Sequence, residues 1–146
     1  MIRLATAAAA LLFTAAPALA QTADNKVVLT FETGARTGLV MIALYDSARA
    51  FNGEGTDADA NRAVARTAIS AQGRVVATFE NLPAGDYAVK AFHDVNGDGQ
   101  MNTNPFGMPT EPYAFSNNAV GNMGPARWDR AHFVVSGETT QTINIR

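Results

Sequence analysis

Asp94-Val95-Asn96-Gly97-Asp98-Gly99 places oxygen-bearing side chains at alternate positions and a glycine immediately after the last of them. This is the opening of a calcium loop, D-x-[DN]-x-[DN]-G. Calcium is a hard cation that needs several oxygens at close range, and a tightly curled backbone turns alternate side chains inward. Asp94, Asn96 and Asp98 would supply side-chain oxygens, Gln100 its backbone carbonyl, and Asn102 stands at the ninth loop position. The twelfth position, a bidentate Glu in an EF-hand, is Pro105, and no helical pattern flanks the loop. The loop is therefore not an EF-hand, and Glu111 is the acid placed to close the shell. The spacing predicts Ca2+ held by Asp94, Asn96, Asp98, Gln100, Asn102 and Glu111. The competing reading is an Asx-rich turn in which the same side chains cap backbone amides.

Other chemistry-bearing residues are sparse. The two histidines, His93 and His132, both fall in segments with strand character. Adjacent strands would let them share a metal or a proton, as in a metal-dependent enzyme; the plainer reading is a hydrogen bond for each at a sheet edge. His93 and Asp94 are consecutive, so a continuing strand points them to opposite faces. Phe106, Tyr113, Phe115 and Trp128 lie in or beside one long loop. They would either stack on a glycan or peptide or fold back as a small core under the loop. Ser116 lacks a G-x-S-x-G context, and Gly97-Asp98-Gly99 lacks the helix a dinucleotide site requires. With no cysteine there is no disulfide, thiolate metal site or cysteine nucleophile. The missing catalytic constellation points to a binding or accessory module rather than an enzyme.

The elements that must position these residues read as strands. Lys26 to Phe31 alternates with period two, and Leu39 to Tyr45 is a continuous apolar run suited to a central strand. Further strands are expected at Val64 to Ser70, Arg74 to Phe79, Tyr87 to His93, Trp128 to Val135 and Thr139 to Ile145. Asp46 to Asn61 reads as a loop, although Ala58 to Arg66 contains good helix formers. Residues 94–127 carry Asn, Gly, Pro and aromatics without a period, and loops this long are often functional. About seven short strands separated by turn signals predict an all-β, antiparallel β-sandwich of prealbumin- or Ig-like type with one long irregular loop.

The chain opens with a positive residue, Arg3, followed by an alanine-rich apolar run and Ala18-Leu19-Ala20. This is the pattern of a secretory signal peptide cleaved after Ala20, too short for a confident membrane span. Residues 1–20 are thus expected to be removed and 21–146 to form one domain, exported to the periplasm or the extracellular space. No membrane span is expected in the mature chain. Without Arg3 it has 10 basic and 13 acidic residues, a net charge of −3, which gives no footprint for nucleic acid or an anionic membrane. Its partner is then an extracytoplasmic glycan, peptide or protein.

The run His93-Asp94-x-Asn96-Gly97-Asp98-Gly99, continued by Thr103-Asn104-Pro105-Phe106-Gly107-Met108-Pro109-x-Glu111-Pro112-Tyr113-x-Phe115-Ser116-Asn117-Asn118-Ala119, resembles a bacterial family of exported proteins known as a domain of unknown function. Leu82-Pro83-x-Gly85-x-Tyr87 upstream and Gly124-Pro125-x-x-Trp128-x-x-Ala131-x-Phe133 downstream fit the same pattern, with Trp128 where Phe is more usual. The L-P-x-G-x-Y turn is similar to that of prealbumin-like and carboxypeptidase-regulatory-like sandwiches. The resemblance implies export, that fold and an important loop; it implies no reaction.

Overall fold

The computed structural model describes residues 24–34 and 36–146; the signal peptide expected at 1–20 lies outside them. Eight strands form two sheets. The smaller sheet is built on β1 (Lys26–Gly34), whose alternation buries Val27, Leu29, Phe31 and Thr33. β4 (Gly73–Phe79) pairs antiparallel with one edge of β1, and β8 (Glu138–Asn144) pairs parallel with the other. In the larger sheet β2 (Leu39–Tyr45) lies between β3 (Ala65–Ser70) and β5 (Gly85–Asp94), both antiparallel to it. Two short strands share the outer edge of β5: β6 (Tyr113–Phe115) pairs with residues 90–92 and β7 (Phe133–Val135) with 85–87.

The all-β sandwich expected from the pattern is what the chain forms, with four local differences, one being that β6 and a 3-10 turn at Ser116–Asn118 lie within the 94–127 segment expected to be irregular. The β1–β8 pair is parallel, because the last strand returns to the free edge of the first instead of closing a hairpin. Trp128–Ala131, expected as strand, is a short helix, α2, and only Phe133–Val135 continues as strand. Ala48–Asn52, inside the expected 46–61 loop, is a one-turn helix, α1, whose N-terminus Ser47 caps by accepting from the Ala50 N–H at 3.4 Å.

Two cores result. The first fills the space between the sheets with Leu29, Phe31, Ile42, Leu44, Val89, Val135 and Ile143. The second covers the outer face of the larger sheet and is centred on Phe51 of α1, 1% exposed. Its ring meets Tyr45, Phe115 and Trp128 edge-on at centroid distances of 5.6, 6.1 and 6.0 Å. β5 is consequently covered on both faces, which explains the small Ala88 where the second core packs closely. The L-P-x-G-x-Y turn entering β5 is tied by the Tyr87 hydroxyl, which donates to the Pro83 carbonyl at 2.9 Å. Burial pushes that phenol above its ordinary range. Among the described residues no helix is long and apolar enough to cross a membrane.

Candidate functional site

β5 ends at Asp94, and the chain then curls on itself. Asp94 is fully buried. Its Oδ1 accepts the Gly97 N–H at 2.7 Å and its Oδ2 the Gly99 N–H at 2.8 Å. Asn96 Oδ1 accepts from Asp98 N at 3.1 Å, and Asp98 Oδ1 from Gln100 N at 2.8 Å. Each oxygen-bearing side chain thus closes a turn onto an amide two to five residues ahead. Gly97 and Gly99 have φ of 78° and 76°, left-handed values that side-chain-bearing residues seldom adopt. Gly38 seals the base of the loop: a Cβ there would lie 2.3 Å from the Asp94 carbonyl oxygen.

The far side of the loop is held by Glu111, which is 8% exposed. Its Oε1 accepts from Val95 N at 2.9 Å and its Oε2 from Asn102 N at 3.1 Å. Asp98 Oδ2 is approached by the side-chain amides of Asn102 at 2.9 Å and Asn96 at 3.1 Å, and Asn96 also donates to Asn102 Oδ1 at 2.9 Å. The Asn102 amide, then the Gln100 N–H and the Asn96 amide, hold the Asp98 carboxyl below the usual carboxylate range. Asp94, Asn96, Asp98, Asn102 and Glu111 therefore belong to one hydrogen-bonded cluster. Gln100 joins it through its backbone N–H.

Among the described residues no three His, Asp or Glu side chains are grouped to hold a metal by themselves. A cation here would need amide and carbonyl oxygens or water to complete its shell. Asn96 and Asn102 would have to turn their NH2 groups away from Asp98. The same three carboxylates, Asp94, Asp98 and Glu111, take no part in the ion pairs among the described residues. Among the described residues the cluster carries three formal negative charges and makes no ion pair with a basic side chain.

The remaining expected site residues are dispersed. Phe106 is 87% exposed at the tip of a hairpin pinned by Asn104, whose Oδ1 accepts from Phe106 N and Met108 N at 2.9 and 3.0 Å. Tyr113 is partly exposed and meets Phe115 edge-on at 5.8 Å, but Phe115 is buried in the second core. Trp128 packs on Phe51 and stacks on His132, with centroids 5.7 Å apart and planes 7° apart. Phe115 and Trp128 thus meet through Phe51 as core packing, Tyr113 adjoins them at Phe115, and Phe106 stands apart.

The histidines are not together either. His132 follows α2 and is exposed, whereas His93 is fully buried at the far end of β5. Phe133 pairs with Tyr87, and six residues of strand at about 3.3 Å each put roughly 20 Å between the two sites. His93 Nε2 donates to the Thr37 carbonyl at 2.9 Å, and Nδ1 has no partner among the described residues. The geometry offers no shared histidine metal centre.

Ser116, Asn117 and Asn118 carry structural roles that their types alone do not announce. β5 is bare between its two edge strands, and there the buried Ser116 Oγ accepts from Val89 N at 2.8 Å while donating to the Ala131 carbonyl at 2.6 Å. Asn117 pairs both ways with the Gln141 side chain. Asn118 bonds the β8 backbone at Thr142 O and Asn144 N. Both have φ near 55°, where asparagine is more at ease than most residues, so consecutive asparagines were the available signal. Together they cover the open edge of β8. The half-open cleft beside them, about 300 Å³ between Tyr113, Val120, Asn144 and Arg146, is floored by amides already engaged in this way.

Fold and loop define a β-sandwich domain that displays one acid-rich, self-capped loop at the end of a sheet. The family described as an uncharacterized protein conserved in bacteria (DUF2141) matches residues 31–144, and the chain belongs to it. The match takes in seven of the eight strands, the end of β1 and the whole 94–127 segment. No curated protein and no solved structure matches the chain.

Proposed function

We propose that this domain is a non-catalytic binding module that works outside the cytoplasm, and that its 94–112 loop takes a calcium ion. The observation that carries the reading is the gathering of Asp94, Asp98 and Glu111 in one loop without a basic partner. Two of these carboxylates are buried. Buried charge is costly unless it is paired or hydrogen-bonded. Backbone amides supply the hydrogen bonds here, and a divalent cation would supply the opposite charge. The donor set of carboxylate, amide and carbonyl oxygens suits a hard ion. Half of the six expected ligand residues, Asn96, Gln100 and Asn102, are uncharged, so affinity belongs with the weaker sites of extracellular modules, about 10⁻⁴–10⁻³ M.

Calcium added to chelator-treated protein is expected to raise the melting temperature. Asp98→Asn, which keeps the turn acceptor but removes an exposed charge, is expected to remove that gain and to lower the calcium-free melting temperature only slightly. Asp98 has its carboxyl held low in the folded state. Its contribution is thus present above the ordinary carboxylate value and lost as pH falls through the folded one. The calcium response should fade over the same acid range. Absence of both heat and a melting shift at millimolar calcium would remove the metal from this reading.

Export rests on the pattern around Arg3 and Ala18-Leu19-Ala20. Expressed in a bacterium with an intact secretion apparatus, the mature protein is expected to begin at Gln21. Recovery of uncut chain in the cytoplasm alone would count against an extracytoplasmic role.

A further inference from the structure

Away from the loop, the second core encloses one charged side chain. Lys90 lies on the outer face of β5, between Ala43 of β2 and Phe115 of β6 in register. Its Nζ is 4.8 Å from the Phe51 ring centroid and 5.2 Å from that of Tyr45. Both rings are buried and stand nearly perpendicular, at 88°. They wall the amine on two sides. No carboxylate of the described residues pairs with it. Nζ is nevertheless not sealed, since His93 Nδ1 is the one fully enclosed side-chain polar atom without a partner among the described residues. The Tyr45 phenol is the titratable group packed against it. Arg49 on α1, and Asp129 and Arg130 on α2, are exposed.

An ammonium in this position has lost part of its hydration. The aromatic faces return some of that loss by cation–π attraction, but no anion completes it. Burial accordingly holds the Lys90 amine below the ordinary lysine range. The chain's only other lysine, Lys26, is half-exposed at the start of β1. It is drawn the opposite way by its hydrogen bond and charge attraction to Glu138, at 2.9 Å. A desolvated lysine beside apolar walls is the usual form of an activated amine nucleophile.

We propose that Lys90 is a nucleophilic amine site, at which the half-buried Nζ between Tyr45 and Phe51 condenses reversibly with a small apolar aldehyde. The neutral nitrogen's lone pair forms a bond to the carbonyl carbon, and the carbonyl π pair moves to oxygen. Oxygen gains a proton as nitrogen loses one, giving a carbinolamine. Expulsion of water then leaves a C=N bond. Amine and aldehyde become imine and water, with no change of oxidation state. The rings favour an apolar substituent, and the shallow enclosure favours a short one.

The test uses the full chain with propionaldehyde and sodium cyanoborohydride, which reduces any imine to a stable propyl-lysine, followed by peptide mass mapping. Near neutral pH, Lys90 is expected to be propylated several-fold faster than Lys26. The preference should vanish in denaturant, where both lysines are equally solvated. Ala43→Glu places a carboxylate directly opposite Lys90 in the sheet register and should suppress its labelling without touching Lys26. Lys90→Arg should lose the label and keep the parent melting temperature. Equal rates at the two lysines, or a faster Lys26, in the folded parent chain overturn the proposal even where Ala43→Glu does not fold. In a folded Ala43→Glu protein, an unchanged preference for Lys90 overturns it as well.

Discussion

Replacing Asp94 with alanine is expected to destabilise the domain by about 2–4 kcal/mol, on the order of 10 °C in melting temperature. The side chain is fully buried and accepts two backbone N–H groups, at Gly97 and Gly99. Each charge-assisted bond contributes about 1.5–3 kcal/mol. Removing a buried carboxylate that lacks a basic partner offsets part of that loss. Asp94→Asn keeps one acceptor oxygen and should fall between alanine and the parent. Faster amide exchange at Gly97 and Gly99 in both variants would place the damage in this turn. Parent-like melting and exchange in the alanine variant would mean that glycine geometry alone holds the loop, and that Asp94 is dispensable to it.

The second large effect belongs to Phe51. Phe51→Ala is expected to cost about 3–5 kcal/mol, the usual range for deleting a buried aromatic ring. The ring is the meeting point of Tyr45, Phe115 and Trp128, and it lies over Lys90. Its loss should loosen α1 and α2 from the larger sheet while the core between the sheets stays packed. Denaturant unfolding with near-ultraviolet circular dichroism separates the two cores, because the only tryptophan, Trp128, reports on the second. A loss below about 1 kcal/mol would show that the second core contributes little beyond covering the sheet. Lys90 would then gain water, and its labelling preference over Lys26 should shrink in the same variant.

Sequence legibility divided along sequence separation. The strands could be read because burial alternates within each one, as at Val27, Leu29 and Phe31, and needs no knowledge of the partner strand. The curl at 94–100 was equally legible. Asp94, Asn96 and Asp98 reach amides only two to five residues away, so spacing and two glycines nearly specify the turn. Glu111 was reachable as the next acid along the loop, and it does close the far side. Whether those oxygens bind backbone amides alone or a cation as well is not encoded in the spacing, because the same curl serves both.

What the chain order could not disclose depends on which strands become neighbours. Ser116 serves Val89 across 27 positions, because β6 and β7 leave a gap on β5 that only the assembled sheet creates. Trp128 reads as the start of a strand by its neighbours, yet helix α2 forms so that its ring can pack on Phe51. Lys90 is one charge in an alternating strand until β2 and α1 bring two rings over it. Whether the two histidines meet depended on strand order; they are separated by the length of β5, and each bonds a backbone carbonyl of its own, Thr37 for His93 and Trp128 for His132. Local turns and alternation follow from a residue and its near neighbours, so the sequence determines them. Long-range enclosure follows from sheet order, which many sequences of the same local pattern could satisfy differently, and only the tertiary structure decides it.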